Sequence, residues 1–228
     1  MANSTELLVL KEITENLPFQ PSGNLDNINW LLSSTGRFTT KSAWEHIRVA
    51  KPQVPWKHIV WYSGNLPKAS FILWLAVRRK LGTQDRLHNV PHGTTCLLCN
   101  AQLETHDHLF FECQYSCHLW HIISLKGAFN TPSSTWGNLV EWISSRWKGK
   151  NLLIKSWKLC LSITIYHLWR ETNRRFHTPR YMSVQETFGS IVEEIRLKLS
   201  TQRQIRDSPQ NRAVQLAWML PDTIFSNL

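Results

Sequence analysis

The sequence predicts a mainly α-helical protein with one small stapled module of irregular and short β elements set between helical segments. Three observations carry that expectation. Apolar residues recur at helical spacing over several stretches, and two of these open on a Ser-x-x-Glu capping box, Ser42–Glu45 and Ser183–Glu186. Proline and glycine fall where helices start and stop, as Pro67 and Gly82 do. Between the helical patterns lies CLLCNAQLETHDHLFFEC, residues 96–113, which is too irregular for a long helix and is dense in Cys and His.

Taken in order, residues 1–35 form a poorly defined N-terminal segment, with a short strand expected near Asn29–Leu32. Ser42 is expected to cap a helix running to about Ala50, ended by Pro52 and Pro55. Pro67 takes a first helical position ahead of KASFILWLAVRRK. Arg78, Arg79 and Lys80 then fill the last turn, where cations suit the helix dipole, and Gly82 stops it. Thr83 opens a short turn. The following stretch should hold a Cys turn, a loop around Glu104 and a short element bearing His108. Helical patterns follow at Ser116–Leu125, Thr135–Trp147, Leu152–Phe176 and Ser183–Gln204, with a last short helix at Asn211–Met219 before Pro221. Gly127–Ser134 is the best internal boundary. Residues 36–126 are therefore expected as one domain and 135–228 as a helical C-terminal region.

Composition narrows the class. A chain of 228 residues can bury one good core or two small ones, and twelve Trp and nine Phe supply aromatic packing. The longest uncharged apolar run, Phe71–Val77, is far too short to span a bilayer, so a soluble protein is expected. The N-terminus lacks the features of a secretory signal, and five Cys is an odd number for a fully paired framework. A reducing intracellular compartment, nuclear or cytoplasmic, is the expectation. No Asp-Asp pair, P-loop, G-x-G-x-x-G or G-x-S-x-G occurs, so no enzyme is expected. Cys160, in the apolar run SWKLCLSITIYHLW, is expected to be an inert core thiol.

The chemistry concentrates at Cys96, Cys99, His108 and Cys113, spaced C-x2-C-x8-H-x4-C. A Cys-x2-Cys pair presents two thiolates from one tight turn, and a His and a Cys from the next segment complete the tetrahedron that Zn²⁺ prefers. Four protein ligands fill the shell, so the expected Zn²⁺ is structural rather than catalytic. His106, Cys117 and His118 are neighbouring substitutes.

Charge is distributed unevenly along a chain of net +10. Residues 37–95 and 122–182 each hold ten basic and two acidic residues, whereas 96–121 hold none of the former and Glu104, Asp107 and Glu112. Two basic flanks around an acidic module suit a polyanion, nucleic acid first, with the module itself repelling phosphate. Candidate phosphate contacts are Lys68, Arg78, Arg79, Lys80 and Arg86 on one side and Arg170, Arg174, Arg175 and Arg180 on the other. The interleaved Trp74, Trp157 and Trp169 have helical apolar neighbours and are expected in the core.

Several stretches in order, GRFTTKSAWEHI, WKHIVWYSGNLPKASFILWLAVRRKLGTQDRL and the cysteine segment, resemble the zinc-binding domain that follows the polymerase region in plant LINE-type (non-LTR) reverse transcriptases. The likeness covers about residues 36–121. IYHLWRETNRRFH, residues 165–177, is similar to the region that often follows it. Leu81-Gly82-Thr83 departs from the family's Leu-Pro-Thr. The resemblance implies that Cys96, Cys99, His108 and Cys113 bind the metal and that the chain derives from a retrotransposon. It implies a nucleic-acid partner only through that context. A protein-interaction or scaffold fragment, or a retroelement relic, is the alternative.

Overall fold

The computed structural model of the chain describes residues 8, 9, 11, 12, 15, 28–49, 51–87, 93–131 and 135–225. They separate into two compact units, Met1–Pro52 and Gln53–Leu228.

In the first unit, α1 (Thr40–Ile47) starts one turn earlier than Ser42 suggests. Thr39 is extended and is the true N-cap, and Ser42 serves as its partner at the third helical position, closing the box with the Thr39 amide. The strand expected at Asn29–Leu32 does not form. A turn replaces it, closed by Trp30 N–H donating to the Gly36 carbonyl at 2.7 Å, with Gly36 at φ +68°. The Trp30 indole N–H then reaches Ser42 Oγ at 2.8 Å, and its ring meets Phe38 edge-on at 4.9 Å.

The second unit holds α2 (Lys57–Val60), α3 (Pro67–Val77), α4 (Gln114–Gly127), α5 (Trp136–Arg146), α6 (Leu152–His177), α7 (Val184–Ser200) and α8 (Pro209–Trp218). Among the described residues there is no strand, only isolated bridges between Thr95 and Leu103 and between Ile205 and Phe225. Side-chain caps start three of these helices. Asn151 accepts from Ile154 N–H at 2.8 Å, Ser183 forms the expected box with Glu186, and Ser208 precedes Pro209 at the first helical position.

Helix α6 organises this unit. Seven successive residues, Leu159 to Ile165, are buried, so the helix is enclosed on every side, as a core helix must be. α3, α4, α7 and α8 all pack on it. Ser and Thr at 156, 162 and 164 let neighbours approach, and Ser156 and Ser162 return their hydroxyls to helix carbonyls. Cys160 lies in this core with no exposure. Trp74, Trp157 and Trp169 pack against the core, and Trp157 N–H donates to Gly127 O at 2.9 Å.

Gly127–Ala128 is less a linker than a tight helix end. Ala128 is left-handed at φ +50°, and a Cβ on Gly127 would meet the Phe129 ring at 2.6 Å. Because α4 packs on both α6 and α7, the cysteine module and the C-terminal helices share one compact unit across the boundary expected at 127–134. Residues 132–134 lie outside the described residues.

Candidate metal centre

The four ligands are placed by two local devices. The first is a knuckle. Cys96 N–H donates to Gln102 O at 2.7 Å and Glu104 N–H to Thr94 O at 2.9 Å, pinning the two arms. Between them Asn100, left-handed at φ +54°, turns the chain and donates its N–H to Cys96 O. The second is a single wide π turn, His108–Glu112, closed by Cys113 N–H donating to His108 O at 2.7 Å. Thr105 starts it, its hydroxyl accepting from His108 N–H at 3.1 Å. Cys113 is then the N-cap of α4, and the first-turn amides of Tyr115 and Ser116 favour its thiolate.

The ligand atoms of Cys96, Cys99, His108 and Cys113 all lie within 4.8 Å of one another. Cys96 Sγ and Cys113 Sγ are 3.9 Å apart, and Cys99 Sγ and His108 Nε2 are 3.4 Å apart. A zinc tetrahedron with ordinary Zn–S and Zn–N bonds has edges of about 3.8 and 3.6 Å, so the two separations fit one central ion. The hydrogen bond between the two buried sulfurs lowers the Cys113 thiol and drives that of Cys96 upward. Three thiolates and one imidazole form a donor set suited to Zn²⁺.

The neighbouring substitutes are placed elsewhere. The His106 ring is buried between Phe110 and Trp136, edge-on to both at 5.0 Å. Burial first, and Arg79 second, hold its pKa down at about 4. Cys117 and His118 are exposed, and the Cys117 thiol donates to Phe111 O at 2.9 Å.

A supporting shell surrounds the ligands. Glu104 has no exposure, and its two oxygens accept from Gln84 N–H and Leu97 N–H, both at 3.2 Å. Burial lifts its carboxyl to about 6. Asp107 takes Arg79 on both oxygens, at 3.1 and 2.8 Å, and accepts from Trp136 N–H at the start of α5. Only Glu112 of the three acids is exposed, so the expected acidic face is reduced to one group. Phe110 is fully buried, which removes it from any contact surface of the module, whereas Phe111 is half-buried and packs on Trp120 and Trp136.

The principal surprise is Arg175. Its guanidinium crosses from α6 to the knuckle, donating to Leu97 O at 3.0 Å and Leu98 O at 2.9 Å. Its Nε holds buried Glu171 at 2.9 Å, and Nη2 reaches Met182 O at 3.1 Å. Tyr115 and Tyr181 lie across it at 5.1 and 5.6 Å. The sequence offered Arg175 only as a candidate phosphate contact. Its place in a stretch similar to the region following the module was the only signal of this role.

The other predicted phosphate contacts divide into two groups. Lys68 pairs with Glu194 at 2.6 Å, Arg79 with Asp107 and Arg174 with Glu171 at 2.9 Å. Arg78, Lys80, Arg86, Arg170 and Arg180 are exposed. Of these, Arg78 lies over Trp74 at 5.4 Å and Arg86 donates to Arg79 O.

Residues 38–120 match the family model described as zinc-binding in reverse transcriptase, a span that contains all four ligands and ends before Arg175. No curated protein and no solved structure matches the chain. No helix among the described residues is long and apolar enough to cross a membrane.

Proposed function

We propose that this chain is a non-catalytic, retroelement-derived protein in which a structural Zn²⁺ holds a helical body together while exposed cations bind nucleic acid along its phosphates. The zinc domain match and the converging Cys3His cluster support the metal half. A filled four-ligand shell keeps no position for a substrate or an activated water, which supports a structural role. For binding, the observation that carries most weight is that Arg78, Lys80, Arg86, Arg170 and Arg180 stand exposed with no carboxylate at ion-pair distance among the described residues. Arg175 and Arg79, by contrast, are consumed in holding the module.

Two measurements test this. Metal analysis of purified protein beside Cys99→Ser should give one zinc per wild-type chain and a loss in the variant. Binding to single-stranded RNA and DNA should weaken steeply as salt rises, with log K falling by about 0.7 per phosphate contact for each decade of salt. Arg78→Glu with Lys80→Glu should weaken it further. Binding indifferent to salt, or none, would reject the nucleic-acid half and leave the zinc half standing.

A further inference from the structure

A cavity of about 720 Å³ opens between α2, the α5–α6 turn and the start of α6, within the range of about 300–1,000 Å³ typical of ligand sites. Lys148, Lys150, Lys155 and Lys158 line it, and no carboxylate does. None of the four forms an ion pair among the described residues. Lys155 is held by a neutral group, Gln202 Oε1, at 2.8 Å. Lys158 is 97 % buried, and among the described residues its ammonium has only a long contact to Gly149 O at 3.4 Å and the Tyr62 ring at 5.3 Å. His58 Nε2, also in the wall, is buried without a hydrogen-bond partner among the described residues. Trp61 lines the same cavity and is 44 % exposed, in a protein that buries much of its aromatic surface.

Like charges gathered in one concavity, one of them out of water, cost free energy that no carboxylate among the described residues offsets by an ion pair. The field is felt locally, since burial and then Lys158 and Lys148 push the His58 pKa down. An external anion with several acceptor oxygens would satisfy the free ammonium donors, and a phosphate offers that chemistry. A flat exposed indole beside a phosphate site offers a stacking face for a base.

We propose that this lysine cavity binds the phosphate of a nucleotide unit, with the attached base stacked on Trp61. The unit could belong to a strand or to a free nucleotide. In its strand form the proposal rests on the nucleic-acid reading above and moves the principal grip to a place that the charge pattern did not single out.

The test uses the full chain with its metal. Lys148→Glu with Lys150→Glu alters two exposed side chains, so folding should persist, checked by an unchanged melting curve. Trp61→Ala removes the stacking face. Two probes are titrated: a labelled single-stranded oligothymidylate by anisotropy, and a nucleoside 5′-monophosphate by calorimetry, with the unphosphorylated nucleoside and inorganic phosphate as controls. The proposal expects the double lysine variant to weaken the strand about tenfold or more and to lower its salt slope by about 1.4. It expects Trp61→Ala to cost about fivefold or more. If the strand binds and only Arg78→Glu with Lys80→Glu weakens it, the cavity is rejected while nucleic-acid binding stands. If the strand does not bind but the monophosphate does, and the lysine variant abolishes that, the cavity stands as a free-nucleotide site and the nucleic-acid reading falls. If neither probe binds, both fall.

Discussion

Arg175 shows how one side chain can belong to a metal centre without touching the metal. Its guanidinium satisfies two knuckle carbonyls and the buried carboxylate of Glu171 together. Arg175→Ala leaves that carboxylate with Arg174 and the Met182 amide, and breaking a buried pair costs about 3–5 kcal/mol. Urea denaturation should show a loss of that size. Competition with a chelator should show zinc affinity falling about 10–100-fold, because supporting contacts orient ligands. Glu194 gives a second prediction. His167 first, and Lys68 second, hold its carboxyl at about 2 against an ordinary 4.5. A carboxyl lowered on folding adds stability that is fully present above pH 4.5 and fades as pH falls toward 2. Wild type should therefore exceed Glu194→Gln in urea midpoint at pH 7, and the gap should narrow steadily below pH 4.5.

At the scale of elements, many helix limits were legible to within a residue or two, the ends of α5, α6 and α8 among them. Pro67, the Ser183–Glu186 box and the start of α6 announce themselves through residues adjacent in sequence. Ser183→Ala should cost about 1 kcal/mol in thermal unfolding, the usual worth of an N-cap. The end of α3 went otherwise than Gly82 suggested. Helix α3 stops at Val77, and Arg79 takes the left-handed turn at φ +50° while Lys80 N–H returns to Leu75 O. A non-glycine residue is tolerated there because its side chain is anchored on Asp107, which also receives the first amide of α5. Helix α2 escaped notice because one turn is too short to show a period.

For the whole molecule, the metal and the core are coupled. The knuckle is tied to α6 by Arg175, and α4, which begins at a metal ligand, packs on both α6 and α7. Structural zinc contributes roughly 10–16 kcal/mol in small fingers, comparable to the whole net stability of a domain. Stripping the metal should remove hydrogen-exchange protection from residues 93–121 first. Amides at the C-terminal end of α6, around Arg175, should lose protection next, while those near Leu159–Ile165 keep more of it. Uniform loss, or none in the knuckle, would separate the metal from the fold.

The sequence by itself determined the Cys-His cluster, the helical class and many helix limits. Each of these is written in residues close together in the chain, where spacing maps directly onto geometry. The fates of most of the cations were decided by tertiary structure, the helical pairs of Arg174 and Arg175 with Glu171 being local. Arg79, Lys68, Arg174 and Arg175 meet carboxylates or carbonyls, several of them tens of residues away, whereas Lys148, Lys150, Lys155 and Lys158 are gathered with His58 and Trp61 around one cavity. Charge along a chain counts ions. Whether an ion is neutralised or left facing solvent depends on which distant surface folding brings against it.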